Sequence, residues 1–335
     1  MYLLFFAFLG GLALLLYGMQ LMSDGMQKVA EDRLQRLFEV LAGRVMYGVL
    51  LGTVVAAVLQ SSGITTIMTV SMVNAGLMTL KQAFGIVMGA NLGTTVTAQL
   101  IAFKETDFVT VFIALGFGLN IIAKGKKLKY SGQIMMGFGI MMLGMQMMGN
   151  AVAPLRKYQG FVDFIATFAD NPLIGLLAGT VMTCVVQSST ATIGILMAMA
   201  SQGLIPLEGA IPVMLGDNVG TCITSVLASL RANRAAKRVA YSHVLYNLIG
   251  SIIFIIFMGW FVDFVLYISP EGDIARQIAN SHTAFNLLST VIFLPITNQF
   301  VAFIELLVPG KDVVISRKPL FLYVNMLGTP SLAMQ

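Results

Sequence analysis

Charge is what this sequence has least of. Asp, Glu, Lys and Arg make up only 10% of its 335 residues, whereas a soluble domain usually carries about 25%. Hydrophobic residues make up 57% of the chain, and the mean hydropathy is +0.86. This composition excludes an ordinary soluble domain. It predicts an all-α integral membrane protein, because helices satisfy their own backbone groups in hydrocarbon.

Cysteines and basic clusters are also scarce. The two cysteines, Cys184 and Cys222, fit neither a disulfide framework nor a metal-binding spacing. No Lys/Arg-rich run belongs to a soluble domain, so the net charge of +5 indicates basic cytoplasmic loops rather than nucleic-acid binding. Residues 1–22 are apolar without a leading basic region, which predicts an uncleaved membrane helix.

What the sequence does contain is an internal repeat. Gln60-Ser61-Ser62 recurs as Gln187-Ser188-Ser189, at an offset of 127 residues. The same offset relates Gly52 to Gly179, Thr65 to Thr192, Gly89 to Gly216, Asn91 to Asn218, Thr94 to Thr221 and Thr97 to Thr224. Polar residues are costly in hydrocarbon, so a doubled polar cluster is a candidate functional site. Paired, interrupted segments of this kind are typical of secondary transporters.

The apolar pattern predicts two matching sets of helices. Repeat 1 (1–123) is predicted to contain a span at 2–22, an interfacial helix at 23–41 capped by Ser23, a re-entrant hairpin with arms 45–59 and 64–73, a helix at 82–103 broken at 91–94, and a linking span at 107–123. Repeat 2 (131–308) is predicted to contain a span at 131–149, an interfacial helix at 154–168, hairpin arms 173–186 and 191–200, a helix at 209–230 broken at 218–221, and closing spans at 239–269 and 281–308. Arms of 10 to 15 residues are too short to cross a bilayer, which needs about 20.

Smaller features carry expectations of their own. Asp217 stands where repeat 1 has Ala90, and we expect it to be solvated at the helix break, with a titrating intramembrane acid as the alternative. The two His-x3-Asn pairs, at 243–247 and 282–286, are expected to make packing hydrogen bonds between helices, with a proton relay as the alternative. Residues 309–335 are predicted to form a cytoplasmic tail.

Loop charges predict the orientation of the spans. The segments 124–129 and 231–238 are basic and should lie inside, whereas 104–107 and 270–276 are balanced and should lie outside. The two repeats then have inverted topology. Their hairpins should enter from opposite membrane faces, with the two tips meeting near the midplane.

The chemistry expected at the tips is uncharged. No carboxylate lies between residues 45 and 103, and no Lys or Arg lies between Lys157 and Arg231. We therefore expect no acidic side chain to hold a cation and no guanidinium to hold an anion. Side-chain oxygens and free helix-end carbonyls suit a small cation, and helix N-termini suit an oxyanion. Co-bound cations would then neutralise a dianion, which predicts coupled binding.

The sequence resembles a known family in three sets of residues. These are the paired QSS cores, the paired segments GANLGTTVTA and GDNVGTCITS, and FNLLSTVIFLP at 285–295. Over roughly residues 5–310 the chain resembles the type II sodium-dependent phosphate cotransporters. The resemblance implies a non-enzymatic, multi-pass protein of the inner or plasma membrane. It implies that sodium entry drives uptake of inorganic phosphate by alternating access, with co-transported sodium and no other cofactor.

The resemblance also implies site residues. Those implied for phosphate are Ser61, Ser62, Gly63, Ser188, Ser189 and Thr190. Those implied for sodium are Gln60, Thr65, Asn91, Thr94, Gln187, Ser188, Asn218, Thr221 and Thr224. The chain departs from the family's QSSS motif, because the third serine is Gly63 in one repeat and Thr190 in the other. Residues 319–335 resemble the junction before a PhoU-like domain, so the chain is a natural short form or part of a longer protein. That domain, a homodimer and membrane lipid are further partners that the resemblance allows.

Other functions stay open at this point. A sodium symporter for another small oxyanion, such as sulfate, or for a dicarboxylate fits the same residue chemistry. An intramembrane serine hydrolase using His243 or His282 is disfavoured, because neither serine pair has a GxSxG-type context. A purely structural role, in which Ser and Thr hydroxyls bond back to helix carbonyls, explains one cluster well but two in register poorly.

Overall fold

The computed structural model describes residues 2–39, 45–103 and 108–310, with the backbone alone for 31–39. Every regular element in these ranges is helical. The helices of the first half are α1 (Tyr2–Glu39), α2 (Val45–Leu59), α3 (Ser62–Asn74), α4 (Leu80–Ile101) and α5 (Val109–Ile122). Those of the second half are α6 (Lys126–Val152), α7 (Gln159–Asp170), α8 (Pro172–Val186), α9 (Ser189–Ser201), α10 (Leu207–Thr221), α11 (Ile223–Ser229), α12 (Arg234–Ile256), α13 (Met258–Tyr267), α14 (Ile274–Phe293) and α15 (Thr297–Leu307).

The helices α1, α4, α6, α12 and the pair α10–α11 are long and apolar enough to cross a membrane. Bent pairs extend this set, because α7 meets α8 at 108° and α14 meets α15 at 86°. Several crossings by apolar helices make this a multi-pass membrane protein. The predicted hairpin arms are confirmed as helices, α2 with α3 and α8 with α9, each boundary lying within two residues of the prediction.

The predicted helix boundary at Ser23 is wrong. The helix α1 continues from Tyr2 to Glu39 without interruption. Instead of capping a second helix, the Ser23 hydroxyl donates a hydrogen bond of 2.8 Å to the carbonyl of Leu59, the last residue of α2. The predicted counterpart at 154–168 does form a separate helix, α7, which buries Ile165 and Phe168.

The predicted break at 91–94 is also wrong, because α4 runs unbroken through it. The Thr94 hydroxyl donates to the carbonyl of Asn91 at 2.8 Å, within the helix. Gly89 permits close packing rather than a break, since a Cβ added there would lie 2.8 Å from the backbone nitrogen of Thr53. In the second half, α10 ends at Thr221 and α11 begins at Ile223, so the interruption is short and lies after the predicted one.

The two predicted closing spans are divided. The first is α12 followed by α13, and the second is α14 followed by the bent α15. The segment 231–238, expected to be a basic loop, forms the first turn of α12 from Arg234 onward. Arg238 is 4% exposed and donates to the backbone carbonyls of Val308 and Gly310.

Glycine contacts set the direction of neighbouring helices. Gly48 packs near Gly85 and Gly93 packs near Ala56, so α2 and α4 run parallel. The equivalent contacts of Gly179 with Val213 and of Gly220 with Thr183 make α8 and α10 parallel. Gly11 lies against Gly144, whereas Gly25 lies against Tyr130, so α1 and α6 run antiparallel. Because α2 and α4 are parallel, the chain must return through α3 between them. The chain returns through α9 between α8 and α10 for the same reason, so each half contains a helical hairpin.

Candidate functional site

The two hairpin tips have an unusual backbone. Gln60 and Gln187 have φ angles of 51° and 55°, and they are the non-glycine residues with positive φ in the described part of the chain. A left-handed conformation costs an L-residue about 1–2 kcal/mol. Such strain is concentrated at functional sites, and here it occurs at equivalent positions of both halves. It turns the chain sharply between the two arms of each hairpin.

A serine cap follows each strained glutamine. The Ser61 hydroxyl accepts a hydrogen bond from the Ile64 amide at 3.1 Å, which caps the N-terminus of α3. The Ser188 hydroxyl accepts one from the Ala191 amide at 3.2 Å and caps α9 in the same way. Each cap leaves its own hydroxyl hydrogen and the first helical N–H groups available to a ligand. A helix N-terminus with free N–H groups is a favourable position for an anion.

Both tips line one cavity of about 480 Å³. The predicted residues that line it are Gln60, Ser61, Ser62, Gly63, Gln187, Ser188, Ser189, Thr190, Thr221 and Thr224. Gly63 of the first tip approaches the second half closely, since a Cβ added there would lie 3.4 Å from the Thr224 hydroxyl. The two repeated motifs, 127 residues apart in sequence, thus form the walls of a single cavity.

Four other residues implied for sodium lie outside that cavity. Thr65 is buried in α3, and its hydroxyl donates to the carbonyl of Ser61 at 2.9 Å. Thr94 lines a second cavity of about 10 Å³, together with Thr97, Ser189, Thr190 and His282. The remaining two, Asn91 and Asn218, make hydrogen bonds to neighbouring helices.

These bonds confirm the packing role expected for the His-x3-Asn pairs. Asn91 bonds to the ring of His243 at 3.2 Å and to Asn247 at 2.8 Å, which ties α4 to α12. Asn218 makes the matching bonds to two residues of α14, the ring of His282 at 3.3 Å and the side chain of Asn286 at 3.2 Å.

Asp217 is not solvated, contrary to expectation. Its side chain is 0% exposed and lies behind the second hairpin. The Thr183 hydroxyl donates to Asp217 Oδ1 at 2.7 Å, while Oδ2 has no hydrogen-bond partner among the described residues. Thr183 also bonds to Thr192, so the acid is connected to both arms of that hairpin.

Sequence reasoning missed one wall of the main cavity. Four polar residues of α1 line it, namely Gln20, Ser23, Asp24 and Gln27. Asp24 is the ionisable side chain of this lining, so the expectation that no carboxylate would reach the site is wrong. The sequence does contain a signal for this wall, because the four polar residues are spaced as i, i+3, i+4 and i+7, which places them on one face of a helix. The helix boundary predicted at Ser23 divides this pattern into two parts, which conceals it.

The strained glutamines yield a stability prediction. We expect Gln60→Gly and Gln187→Gly to be more thermally stable than Gln60→Ala and Gln187→Ala, by about 1 kcal/mol, because glycine adopts positive φ without strain. All four variants lose the same side-chain amide, so each alanine variant is the control for its glycine partner. Thermal unfolding in detergent measures the difference. Equal stability within each pair would contradict the strain that the φ angles indicate.

Comparison with known proteins places this geometry in a family. The family model described as "Na+/Pi-cotransporter" matches residues 14–150 and 156–291. The chain is 32% identical over 257 residues to the "Uncharacterized protein YqeW" of Bacillus subtilis (strain 168), covering 76% of this chain and 83% of that protein. No solved structure matches the chain.

Two further relatives have functional names. The "Putative inorganic phosphate export protein YjbB" of Escherichia coli (strain K12) is 27% identical over 250 residues, which is 75% of this chain but 46% of that protein. The chain therefore spans about half the length of that relative. The "Sodium-dependent phosphate transport protein 2A" of Rattus norvegicus is 40% identical over 60 residues, covering 18% of this chain and 9% of that protein. Because the family model covers most of its length, this membrane protein belongs to the Na+/Pi-cotransporter family.

Proposed function

We propose that the protein is a secondary active transporter that couples sodium entry to the uptake of inorganic phosphate by alternating access. The observation that carries this proposal is the cavity into which two capped helix N-termini, α3 and α9, both open. Free N–H groups and serine hydroxyls at a helix N-terminus favour an oxyanion. A cavity of about 480 Å³ has room for a phosphate together with small cations.

The charge of the cavity wall supports sodium coupling. No Lys or Arg is among the residues that line the cavity in the described part of the chain. A phosphate dianion bound there would lack a cationic side chain, and Asp24 would add a further negative charge. Bound sodium ions would offset both. Side-chain amide and hydroxyl oxygens of the cavity lining are the hard ligands that such cations take.

The assignment of residues follows from position. We assign phosphate to the two capped N-termini, with Ser61, Ser62 and Gly63 on one side and Ser188, Ser189 and Thr190 on the other. We assign sodium to the lining residues Gln60, Gln187, Thr221 and Thr224, with Ser188 shared. Thr94 belongs to a second position for sodium at the small cavity. Thr65, Asn91 and Asn218 do not line the main cavity, and we assign them to the sodium set as residues that support its lining. Asn91 and Asn218 also tie neighbouring helices together.

The proposal includes inverted repeats, and contacts at the hairpin bases support the inversion. At the first base, the backbone amide of Asn233 donates to the side chain of Asn74 at 2.8 Å, beside the basic segment 231–238. At the second base, Gln202 packs against Gly149 near the end of α6. The basic segment 124–129 lies at the opposite end of that 27-residue helix, about 40 Å away. With both basic segments inside, the hairpins enter from opposite faces.

Transport in the opposite direction is the second candidate. The Escherichia coli relative is named a phosphate export protein, and the same cavity could release phosphate outward. The two directions differ in the gradient that drives them and not in the binding chemistry.

Reconstituted protein provides the test. In liposomes with an inward sodium gradient, we expect labelled phosphate to accumulate, because sodium neutralises the anion in a cavity without basic side chains. Replacing sodium by choline or potassium should abolish accumulation. Efflux from phosphate-loaded liposomes without sodium would favour export, and uptake undiminished in choline would contradict sodium coupling.

Variants at the tips separate the two ligands. We expect Ser61→Ala and Ser189→Ala chiefly to weaken phosphate affinity, by roughly ten- to a hundredfold, because each removes a hydroxyl beside a charged ligand. Gln187→Ala and Thr221→Ala should chiefly weaken sodium activation. Ser71→Ala is a matched control, since that hydroxyl lies on α3 outside the cavity and bonds to the carbonyl of Ile67. Titrations of phosphate and sodium on folded protein measure the effects, and wild-type kinetics in all four tip variants would rule out this site.

Labelling of introduced cysteines tests the inversion. Lys127 and Glu271 are both exposed, at segments expected to lie on opposite faces. In sealed cells, an impermeant thiol reagent should modify Glu271→Cys and leave Lys127→Cys unmodified until the cells are opened. The parent protein, with its own Cys184 and Cys222, gives the background. Modification of both positions from outside would refute the inverted arrangement.

A further inference from the structure

The polar face of α1 forms a wall of the phosphate cavity with a single acid in it. Ser23 and Gln27 hydrogen-bond to their surroundings: Ser23 donates to the carbonyl of Leu59 at 2.8 Å, and Gln27 donates to the Ser23 hydroxyl at 3.0 Å. The half-buried Asp24 makes no hydrogen bond or ion pair with any residue in the described ranges. Lys28, one turn further along, lies 5.3 Å over the ring of Tyr130 and does not pair with Asp24. The carboxylate is therefore available to a ligand in the cavity.

A carboxylate has a defined effect on the choice of oxyanion. When ionised, it only accepts hydrogen bonds, whereas the tips offer hydroxyl and N–H donors. An oxyanion without protons gains from those donors but is repelled by the carboxylate. An oxyanion that keeps a proton can donate its O–H to the carboxylate. Inorganic phosphate and arsenate keep at least one proton at neutral pH, and sulfate keeps none.

We propose that Asp24 is a specificity-determining residue, which accepts a hydrogen bond from a protonated oxygen of the bound anion and thereby rejects sulfate. This inference rests on the proposed function, because it concerns the anion bound in that same cavity. Asp24 would attract an anion that carries a proton and repel one that does not, and binding sites use such repulsion to exclude a competitor of similar shape. A site built to hydrogen-bond a substrate O–H discriminates strongly against an analogue that lacks it.

The experiment compares the parent protein with Asp24→Asn, a nearly isosteric change that removes the charge and adds N–H donors. Inhibition of sodium-driven phosphate uptake by sulfate and by arsenate is measured for both proteins. We expect Asp24→Asn to weaken phosphate and arsenate together and to make sulfate an effective inhibitor. The ratio of phosphate to sulfate affinity should fall by roughly ten- to a hundredfold, the effect of one hydrogen bond to a charged group.

Two variants serve as controls. Asp163→Asn removes an equal charge from an exposed carboxylate on α7, which accepts a hydrogen bond from Gln159 away from the cavity, and it should change nothing. Asp24→Glu keeps the acceptor and should keep the rejection of sulfate. If Asp24→Asn does not fold, Asp24→Ser removes the same charge with a smaller side chain, and the same loss of discrimination is expected.

The outcomes separate this inference from the proposed function. If Asp24→Asn transports phosphate and still rejects sulfate as the parent does, the assignment is overturned while the transporter stands. A change confined to sodium activation also overturns it and makes Asp24 a cation ligand. If the parent protein transports no phosphate, the proposed function fails. Thermal-shift titrations of the purified parent and variant with phosphate and with sulfate then decide the role of Asp24.

Discussion

The site depends on one physical constraint, which is that backbone polar groups within a membrane protein must find partners inside the protein. A hairpin that turns back halfway leaves helix ends without intrahelical partners. Here each turn is made by a glutamine with positive φ and closed by a serine cap, which satisfies part of this need. The N–H groups that remain at the two helix N-termini can then be satisfied by a bound anion. The features that allow the chain to turn back thus also leave hydrogen-bond donors that suit the proposed oxyanion.

Close helix packing holds the two tips in place. The parallel pairs α2–α4 and α8–α10 approach through glycines at equivalent positions, such as Gly52 with Ile86 and Gly179 with Val213. Behind them, the buried Asn91 and Asn218 tie α4 and α10 to the closing helices α12 and α14. Losing one partner in such a buried network costs about 1–3 kcal/mol. Buried hydrogen bonds therefore hold α4 and α10, the helices packed against the two hairpins, in fixed positions.

Sequence alone predicted the hairpins well and the long helices less well. The apolar runs on either side of each QSS motif gave the boundaries of α2, α3, α8 and α9 to within two residues. The break predicted in α4 failed because glycine and threonine have two uses in a helix. There, Gly89 allows close approach and Thr94 bonds back to its own helix. No sequence signal marks a glutamine for positive φ. Asp24 was missed because the polar face to which it belongs crosses the helix boundary predicted at Ser23.

The two halves are unequal around the cavity, and the cause lies in α1. At the offset of 127 residues, Ser23, Asp24 and Gln27 correspond to Asn150, Ala151 and Pro154. The helix α6 ends at Val152, and a short 3₁₀ segment follows. The second half therefore has Ala151, and no carboxylate, at the position equivalent to Asp24. Gln60 of the first tip is accordingly 6% exposed and donates to the sulfur of Met26, whereas Gln187 of the second tip is exposed.

This inequality fixes the charge of the cavity. A symmetric duplication of α1 would place two carboxylates around one anion, and their combined repulsion would oppose binding of any oxyanion. The cavity instead combines two capped helix N-termini with a single acid. Under the proposed function, the helix ends attract the anion, while Asp24 distinguishes anions that carry a proton from those that do not.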